Sequence, residues 1–255
     1  MNPKIVLLAG KGNTTNILYN ALSKKLRIDA VIIEDSVRKK EFVKKRIKRL
    51  GIRKVAGQIL FQIVIVNILK LTSQKRKKEI LNQFNLDESP IKNHKFIPVK
   101  SVNEAQCINE LAEINPDIVL VIGTRIISKK VLDSVDAKFI NIHAGITPKY
   151  RNVHGAYWAL IQNDLENCGV TVHLVDPGID TGRIIYQSKI SVSNKDNFTT
   201  YPLLQLAEGI DFLKKAVADI VEKKLVLKES SSESKIWHHP TFGQYLYHRV
   251  LNNKK

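Results

Sequence analysis

Two polar side chains between residues 139 and 185 have the types and spacing needed for proton transfer. Asn141 and His143 lie two residues apart at the end of an apolar run, so in a strand their side chains point to the same side. An amide can stabilise an oxyanion, and an imidazole can donate a proton as charge develops. An Asn-x-His pair is also typical of a capped turn, so its meaning depends on a third residue.

Asp180 supplies that third residue. It follows a second β-rich run and lies in Gly178-Ile179-Asp180-Thr181-Gly182, whose glycines permit an unusual backbone path and close approach to a ligand. A carboxylate beside an imidazole raises the pKa of the imidazole and orients its protons. Asn141, His143 and Asp180 therefore form a candidate acyl-transfer set. Because no Ser or Cys nucleophile lies nearby, we expect direct transfer to an incoming amine, without a covalent acyl-enzyme.

The elements that must position these residues are short apolar runs alternating with helical patterns. Strands are predicted at residues 4–9, 29–34, 96–99, 118–122, 138–142 and 183–192, with a further β-rich run at 169–173. Helices are predicted at 16–26, 37–50, 55–69, 75–84, 102–114, 128–132 and 202–222. This order predicts an α/β fold with a doubly wound, mostly parallel sheet, whose ligands bind at the carboxyl ends of the strands.

A glycine-rich turn, Gly10-Lys11-Gly12-Asn13-Thr14-Thr15, follows the first predicted strand. Such a turn opening a helix can present backbone N–H groups to a phosphate. Here it has only G-x-G, without a third glycine or a Lys-Ser/Thr pair. A tight β–α turn with a Thr or Asn cap is therefore an equal alternative.

The 255 residues predict one large domain with a small appendage. We place a catalytic domain at 1–227, with a helical insertion at about 37–95, and a short C-terminal extension at 228–255. Cys107 and Cys168 have no metal or disulfide-framework spacing, which fits a reducing cytoplasm. The N-terminus lacks the layout of a signal peptide and is typical of a first strand.

The net charge of +17 is concentrated in the insertion. Residues 38–78 hold fifteen Lys or Arg and one acid, a local charge of +14, which leaves +3 for the rest of the chain. We favour a solvated helical appendage, then attraction to an anionic membrane surface. Contact with nucleic-acid phosphates ranks third, because only three aromatic residues are available to stack on bases. No nucleic-acid partner is expected.

Residues 55–69, inside this basic segment, carry no charge. The run is shorter than the roughly 20 apolar residues that a membrane-spanning helix needs, and it includes Gln58, Gln62 and Asn67. It therefore predicts a buried or partner-facing helix and offers a candidate homodimer surface.

Three further features are assigned structural roles. His238, His239 and His248 have no Cys or carboxylate at ligand spacing, so no metal site is predicted and a surface role near the terminus is preferred. Trp158 and His173 are interpreted as core and strand residues.

The spaced motifs, taken in order, resemble the folate-dependent formyltransferase family. They are Asn141-Ile142-His143, Pro148-Lys149-Tyr150-Arg151, Trp158-Ala159-Leu160, Gly169-Val170-Thr171, Asp176 and Asp180-Thr181-Gly182. That family includes glycinamide ribonucleotide, methionyl-tRNA and sugar N-formyltransferases, and this chain is most similar in kind to the last. The resemblance is strong over residues 118–185, weaker over the first 35 and absent from about 37 to 95.

The resemblance implies a Rossmann-like enzyme that uses 10-formyltetrahydrofolate as formyl donor. It implies that Asn141 and His143 stabilise a tetrahedral oxyanion, and that Asp180 keeps His143 protonated or relays a proton. It places the folate along Thr124, Arg125, Ile126, Ile127, Val175, Asp176 and Gly178. It places the acceptor near Tyr150, Arg151 and His154 and, where a phosphate is present, near Gly10, Gly12, Asn13 and Thr14.

The acceptor is the open question, because the chain departs from the family pattern at Ala144-Gly145-Ile146-Thr147 and at Asn152. We expect the primary amine of an amino sugar, nucleotide-linked, in a step of polysaccharide biosynthesis. Glycinamide ribonucleotide is the alternative, supported by the glycine-rich turn. The alternative of another class is a non-catalytic basic protein that associates with membranes or nucleic acid.

Overall fold

Seven strands form one sheet in the computed structural model, which describes residues 3–37, 39–92, 94, 96–230 and 232–251. The strands are β1 (Ile5–Gly10), β2 (Ala30–Glu34), β3 (Phe96–Val99), β4 (Ile118–Ile122), β5 (Lys138–His143), β6 (Gly169–Leu174) and β7 (Ile184–Lys189). Their order is β3-β2-β1-β4-β5-β6-β7, with β1 to β5 parallel and β6 and β7 antiparallel at one edge. The predicted Rossmann-like, mostly parallel sheet is confirmed.

The helices are α1 (Asn13–Leu22), α2 (Lys39–Leu50), α3 (Ile52–Ile63), α4 (Ile65–Thr72), α5 (Gln74–Gln83), α6 (Ala105–Ile114), α7 (Lys129–Leu132), α8 (Gly155–Ile161), α9 (Tyr201–Val221) and α10 (Phe242–Leu251). Two of them, α8 and α10, were not predicted. All seven residues of α8 are buried, so it lacks the polar face that gives a helix its sequence periodicity.

Helices cover both faces of the sheet. On one face α1 and α9 pack against β1, β4 and β5, and on the other α6 and α7 do so. This explains why β4 is an unbroken apolar run, since a strand covered on both sides has no polar face. Fully burying each such Leu, Ile or Val contributes about 1.5–3 kcal/mol.

The order of the strands reverses at β1, which lies between β2 and β4. Gly10 ends β1 and Gly123 follows β4, and a Cβ on Gly10 would lie 2.3 Å from the Gly123 carbonyl oxygen. The two loops therefore meet at the carboxyl edge, where a doubly wound sheet opens its ligand crevice.

The apolar run of the insertion is longer and more exposed than predicted. Helices α3 and α4 join at Val64 and together span Ile52–Thr72, which is long and apolar enough to cross a membrane by length and composition. Only 22% of its most apolar window is buried. The predicted bounds of 55–69 are too short, and the buried alternative is wrong, because only one side of α3 packs on the rest of the chain, through Val55, Gln58 and Phe61. The partner-facing alternative stays a prediction.

The C-terminal segment packs against the core. Trp237 stacks on Tyr150 and Trp158, with ring centroids 5.6 and 4.9 Å away, and Tyr245 of α10 lies 5.2 Å from the Phe61 ring. His239 is half-buried beside Gln62 and His154, and desolvation lowers its pKa to about 4.

Candidate active site

The end of β5 and the turn after β6 bring the three predicted polar residues together. Asn141 and His143 project from the same side of β5, and the β6–β7 turn carries Asp180 in a left-handed conformation with φ 50°. Nδ1 of His143 lies 3.3 Å from Oδ2 of Asp180. The same carboxylate oxygen accepts a 2.8 Å hydrogen bond from the Asn152 N–H.

The imidazole of His143 is held between a carbonyl and a carboxylate. Its Nε2–H donates to the backbone carbonyl of Tyr150 at 2.8 Å, which leaves Nδ1 facing Asp180. Burial lowers the pKa of His143 below its ordinary 6.5, although Asp180 acts in the opposite direction. Desolvation thus outweighs the Asp180 charge, opposite to the expected rise in the pKa of His143. That Asp180 keeps His143 protonated or relays a proton stays a prediction.

Asp180 is the charged member of the pair. Burial acts to raise its pKa, but the neighbouring imidazoles of His173 and His143 and the Asn152 N–H together lower it. The turn folds back closely on β6 at Gly182. A Cβ there would lie only 1.6 Å from the Leu174 carbonyl oxygen, so no larger residue fits at this position. An ionised carboxylate thus stands ready to stabilise an imidazolium.

His173 joins the site, which sequence reasoning missed. Its Nδ1–H donates to the Leu174 carbonyl at 2.7 Å, so its Nε2 accepts from Nδ2 of Asn141 at 3.1 Å. This bond fixes the direction of the Asn141 amide. The antiparallel register sets Asn141 opposite His173 and His143 opposite Thr171. The two-residue spacing of Thr171 and His173 indicates that both side chains lie on one side of β6. Only the pairing of β5 with β6 shows that this is the side of Asn141 and His143.

A cavity of about 370 Å³, hereafter the triad cavity, is lined by Asn141, His143, His173 and Asp180. It is also lined by every residue predicted to contact the folate, namely Thr124, Arg125, Ile126, Ile127, Val175, Asp176 and Gly178. The Arg125 guanidinium donates a hydrogen bond to Glu34 at 2.6 Å. Its charge is therefore paired within the protein, and the side chain holds the loop in place.

A larger cavity of about 560 Å³, hereafter the second cavity, adjoins the first. Both are lined by Ile142, Ala144 and Pro202, so they meet beside the triad. Its wall combines the start of α1, the insertion and α9, through Asn13, Thr14, Lys70, Ser73, Gln74, Lys77, Glu88, Thr199 and Gln205 among others. Of the predicted glycine-rich turn, Asn13 and Thr14 face this cavity.

The two glycines of that turn are placed elsewhere. Gly10 packs against Gly123, and Gly12 lines a separate groove beside Ile33 and Phe96. Helix α1 begins at Asn13 without a side-chain cap, because the Thr15 hydroxyl donates to the Gly10 carbonyl at 2.5 Å instead. The predicted Thr or Asn cap is wrong.

The loop residues predicted to face the acceptor instead support the triad. Tyr150 is buried, and its hydroxyl donates to Asp164 while its carbonyl orients His143. Arg151 donates from Nε to the Ile179 carbonyl at 2.7 Å, beside Asp180. Neither residue lines either cavity in this structure, and contact of Tyr150 and Arg151 with the acceptor stays a prediction.

His154 lines the triad cavity, but its Nε2 lies 2.9 Å from Nδ1 of His239. Burial lowers the pKa of His154 well below its ordinary value, so the imidazole is neutral. Within the described part of the chain, no three His, Cys, Asp or Glu side chains are grouped to hold a metal ion.

The fold and the cluster at its carboxyl edge define a group-transfer protein of the Rossmann type, and comparison with known proteins gives its family. A family model described as formyl transferase matches residues 4–205. The chain therefore belongs to the formyl transferase family, whose members take their formyl group from 10-formyltetrahydrofolate.

Among its relatives, methionyl-tRNA formyltransferase of Finegoldia magna is 29% identical over 197 residues, which cover 71% of this chain and 62% of that enzyme. The chain spans less than two thirds of the length of the curated relatives that it matches most strongly. Two solved structures share the fold. Phosphoribosylglycinamide formyltransferase of Anaplasma phagocytophilum has a TM-score of 0.58 at 17% identity, covering 92% of this chain and 98% of that one. The N-formyltransferase of Helicobacter canadensis, in complex with folinic acid and dTDP-3-aminofucose, has a TM-score of 0.55 at 18% identity, covering 93% and 71%.

Proposed function

We propose that this protein is an N-formyltransferase that moves the formyl group of 10-formyltetrahydrofolate to the primary amine of a nucleotide-linked amino sugar. One observation carries the proposal. An amide, an imidazole and a carboxylate converge on the triad cavity, which meets a second cavity lined by Lys70 and Lys77. Donor and acceptor would then occupy adjoining cavities, with the formyl carbon between them.

Asn141 is the proposed oxyanion stabiliser. One N–H of its amide is directed at Nε2 of His173, so the amide is fixed before substrate binds. The other N–H is available to the formyl oxygen when the carbonyl becomes tetrahedral. Preorganised donors of this kind typically lower the barrier by about 2.7–4 kcal/mol each.

His143 and Asp180 are the proposed proton carriers. As the amine attacks the formyl carbon, a C–N bond forms and the nitrogen must lose a proton. The His143–Asp180 pair can take it, because Nδ1 of His143 lies 3.3 Å from Oδ2 of Asp180 and the carboxylate would stabilise an imidazolium. The same proton then passes to the leaving nitrogen of the tetrahydrofolate as the second C–N bond breaks. No covalent enzyme intermediate is required.

The donor is proposed to lie along the wall formed by residues 124–127 and 175–178. This wall offers aliphatic side chains for a flat ring, including Ile126, which is 52% exposed. It also offers the polar atoms of the Asp176 turn, where the carboxylate holds the Gly178 N–H and the Thr181 hydroxyl. The combination fits a pterin, which has an apolar face and a hydrogen-bonding edge.

The acceptor is proposed to occupy the second cavity. Lys70 and Lys77 and the start of α1 give this cavity a positive side suited to phosphate, although Glu88 pairs with Lys77 at 2.5 Å. Its volume of about 560 Å³ lies within the range of cavities that enclose a small ligand such as a nucleotide. Glycinamide ribonucleotide is the second candidate, because Asn13 and Thr14 of the predicted phosphate turn face the same space.

Purified protein should be assayed with isotope-labelled 10-formyltetrahydrofolate and three acceptors: a dTDP-linked amino sugar, glycinamide ribonucleotide and methionyl-tRNA. The proposal predicts label in the sugar nucleotide, and loss of transfer in the His143→Ala variant. Turnover of the ribonucleotide alone, or of methionyl-tRNA alone, would overturn the proposed acceptor while leaving the chemistry intact.

A further inference from the structure

The insertion presents a continuous aliphatic face to the exterior. Six large side chains along α3 and α4 are between 37% and 75% exposed: Ile52, Ile59, Leu60, Ile63, Ile68 and Leu71. Their spacing places them along one side of a helix of 3.6 residues per turn. The opposite side of α3 is buried through Phe61, whose ring lies 4.9 Å from that of Phe198. An apolar stripe of this length is typical of an interaction surface.

Exposed cations without an ion-pair partner in the described chain lie on α2 and on the first turn of α3, the helices that lead into this face. Lys44, Lys45, Lys48, Arg53 and Lys54 are all exposed. In the described chain, no ion pair involves a cation between residues 40 and 54. The cations of α5 behave differently, because Arg76 pairs with the buried Asp196 at 2.8 Å and so has a structural role.

We propose that α2, α3 and α4 dock the protein on an anionic membrane surface. The isoleucines and leucines would enter the boundary between headgroups and acyl chains, while the neighbouring cations meet lipid phosphates. Helix α3 would lie along the membrane and not cross it. A crossing would pull Phe61 out of its aromatic cluster and would break the 2.7 Å bond from Gln58 to the His239 carbonyl.

Two other occupants fit this surface less well. A nucleic acid would use the cations but leave the aliphatic side chains against water, and Phe42 is the one aromatic ring of α2 to α4 that is largely exposed. A second copy of the chain, related by a two-fold axis, would bring the unpaired cations of both copies together.

Docking would bring the acceptor's cavity to the lipid surface. Lys70 lines the second cavity and lies between Ile68 and Leu71, which are 52% and 75% exposed. This consequence rests on the proposed function: the cavity proposed for the nucleotide-linked amino sugar would open beside the lipid headgroups.

The test is co-sedimentation of the full chain with phosphatidylcholine vesicles, with and without an equal share of phosphatidylglycerol. The wild type should bind the anionic vesicles and be released in part by salt. Ile59→Gln with Ile63→Gln, and separately Lys44→Glu with Lys48→Glu, should each weaken binding by about tenfold or more. The matched control, Lys25→Glu with Lys138→Glu, changes the net charge equally at exposed sites outside the insertion and should bind as the wild type does.

Circular dichroism and formyl transfer to a soluble amine should be unchanged in all three variants, which separates loss of docking from loss of folding or of the proposed activity. Four results would overturn the proposal. In the first, the wild type does not bind anionic vesicles at low salt, and in the second, the control variant binds them as weakly as the insertion variants. The other two are vesicle binding that only detergent reverses, and a dimer or RNA complex that the insertion variants abolish while no vesicle binding is seen.

Discussion

The carboxyl edge of the sheet and the helical insertion use polar and apolar residues in opposite ways. At the sheet edge, charged and hydrogen-bonding groups are buried and almost every one has a fixed partner, as Asp180 has in His143 and Asn152. In the insertion, aliphatic groups such as Ile63 are exposed and cations such as Lys48 have no ion-pair partner within the described chain. The first arrangement is suited to chemistry within the protein. The second is suited to contact with a partner surface outside the protein.

The largest expected effect is a difference in stability between substitutions on the inner and outer faces of α3. Phe61→Ala should lower the free energy of unfolding by about 3–5 kcal/mol, because it empties a fully buried aromatic site. Ile63→Ala, two residues away and 62% exposed, should change it by no more than about 0.5 kcal/mol. Urea denaturation of both variants tests this. A similar cost for both would mean that the outer face is packed in solution and would remove the basis for docking.

At the sheet edge, Asn141→Ala should lower kcat by about 10²–10³-fold, because the fixed amide donor to the developing oxyanion is lost. Binding of folinic acid, measured by calorimetry, should change little, since the wall at residues 124–127 is untouched. Asn163→Ala, on an exposed turn after α8, serves as the control and should retain full activity. Retention of activity by Asn141→Ala would exclude its proposed role.

Gly145→Ala should destabilise the protein by about 1–3 kcal/mol. A Cβ at this position would lie 2.8 Å from Nε2 of His143 and 2.3 Å from the Tyr150 carbonyl, the two atoms of the bond that orients the imidazole. Gly243→Ala in α10, where a Cβ meets nothing within 4 Å, should instead be neutral or stabilising by up to about 1 kcal/mol. Thermal unfolding distinguishes them, and equal effects would refute the close packing described for Gly145.

The smallest effect is on the pH dependence of stability. Burial lowers the pKa of His143, His154 and His239, so the unfolded chain binds more protons than the folded one below pH 6.5. Stability should therefore be complete above that pH and fall as the pH drops toward the His239 value of about 4. Each histidine contributes a slope of at most about 1.4 kcal/mol per pH unit, and His239 approaches it between its folded and unfolded pKa values. His239→Gln should make the decline shallower, and an unchanged slope would contradict its burial.

The sequence predicted the sheet edge well because its signals are local. Strand periodicity placed Asn141 and His143 on one side of β5, and the two glycines identified the Asp180 turn. His173 was missed because its role depends on the β5–β6 pairing, a contact between residues 32 apart. The direction of the His143 pKa was also wrong, since a neighbouring charge is visible in sequence but the extent of burial is not.

The insertion was predicted less well for the same physical reason. An uncharged run predicts a helix but does not say which side is covered. That depends on α10 and on Phe198, which reach α3 from distant parts of the chain. The lowered pKa of His239 likewise follows from contacts with His154 and Gln62 that no local pattern encodes.

The central claim is that formyl transfer runs through His143 and the groups beside it. A single-turnover experiment tests it most directly, with labelled 10-formyltetrahydrofolate and the dTDP-linked amino sugar, comparing wild type with His143→Ala. We expect label in the wild-type product, and for the variant retained binding of folinic acid with transfer slowed by about 10²–10⁴-fold. Transfer by the variant at the wild-type rate would contradict it.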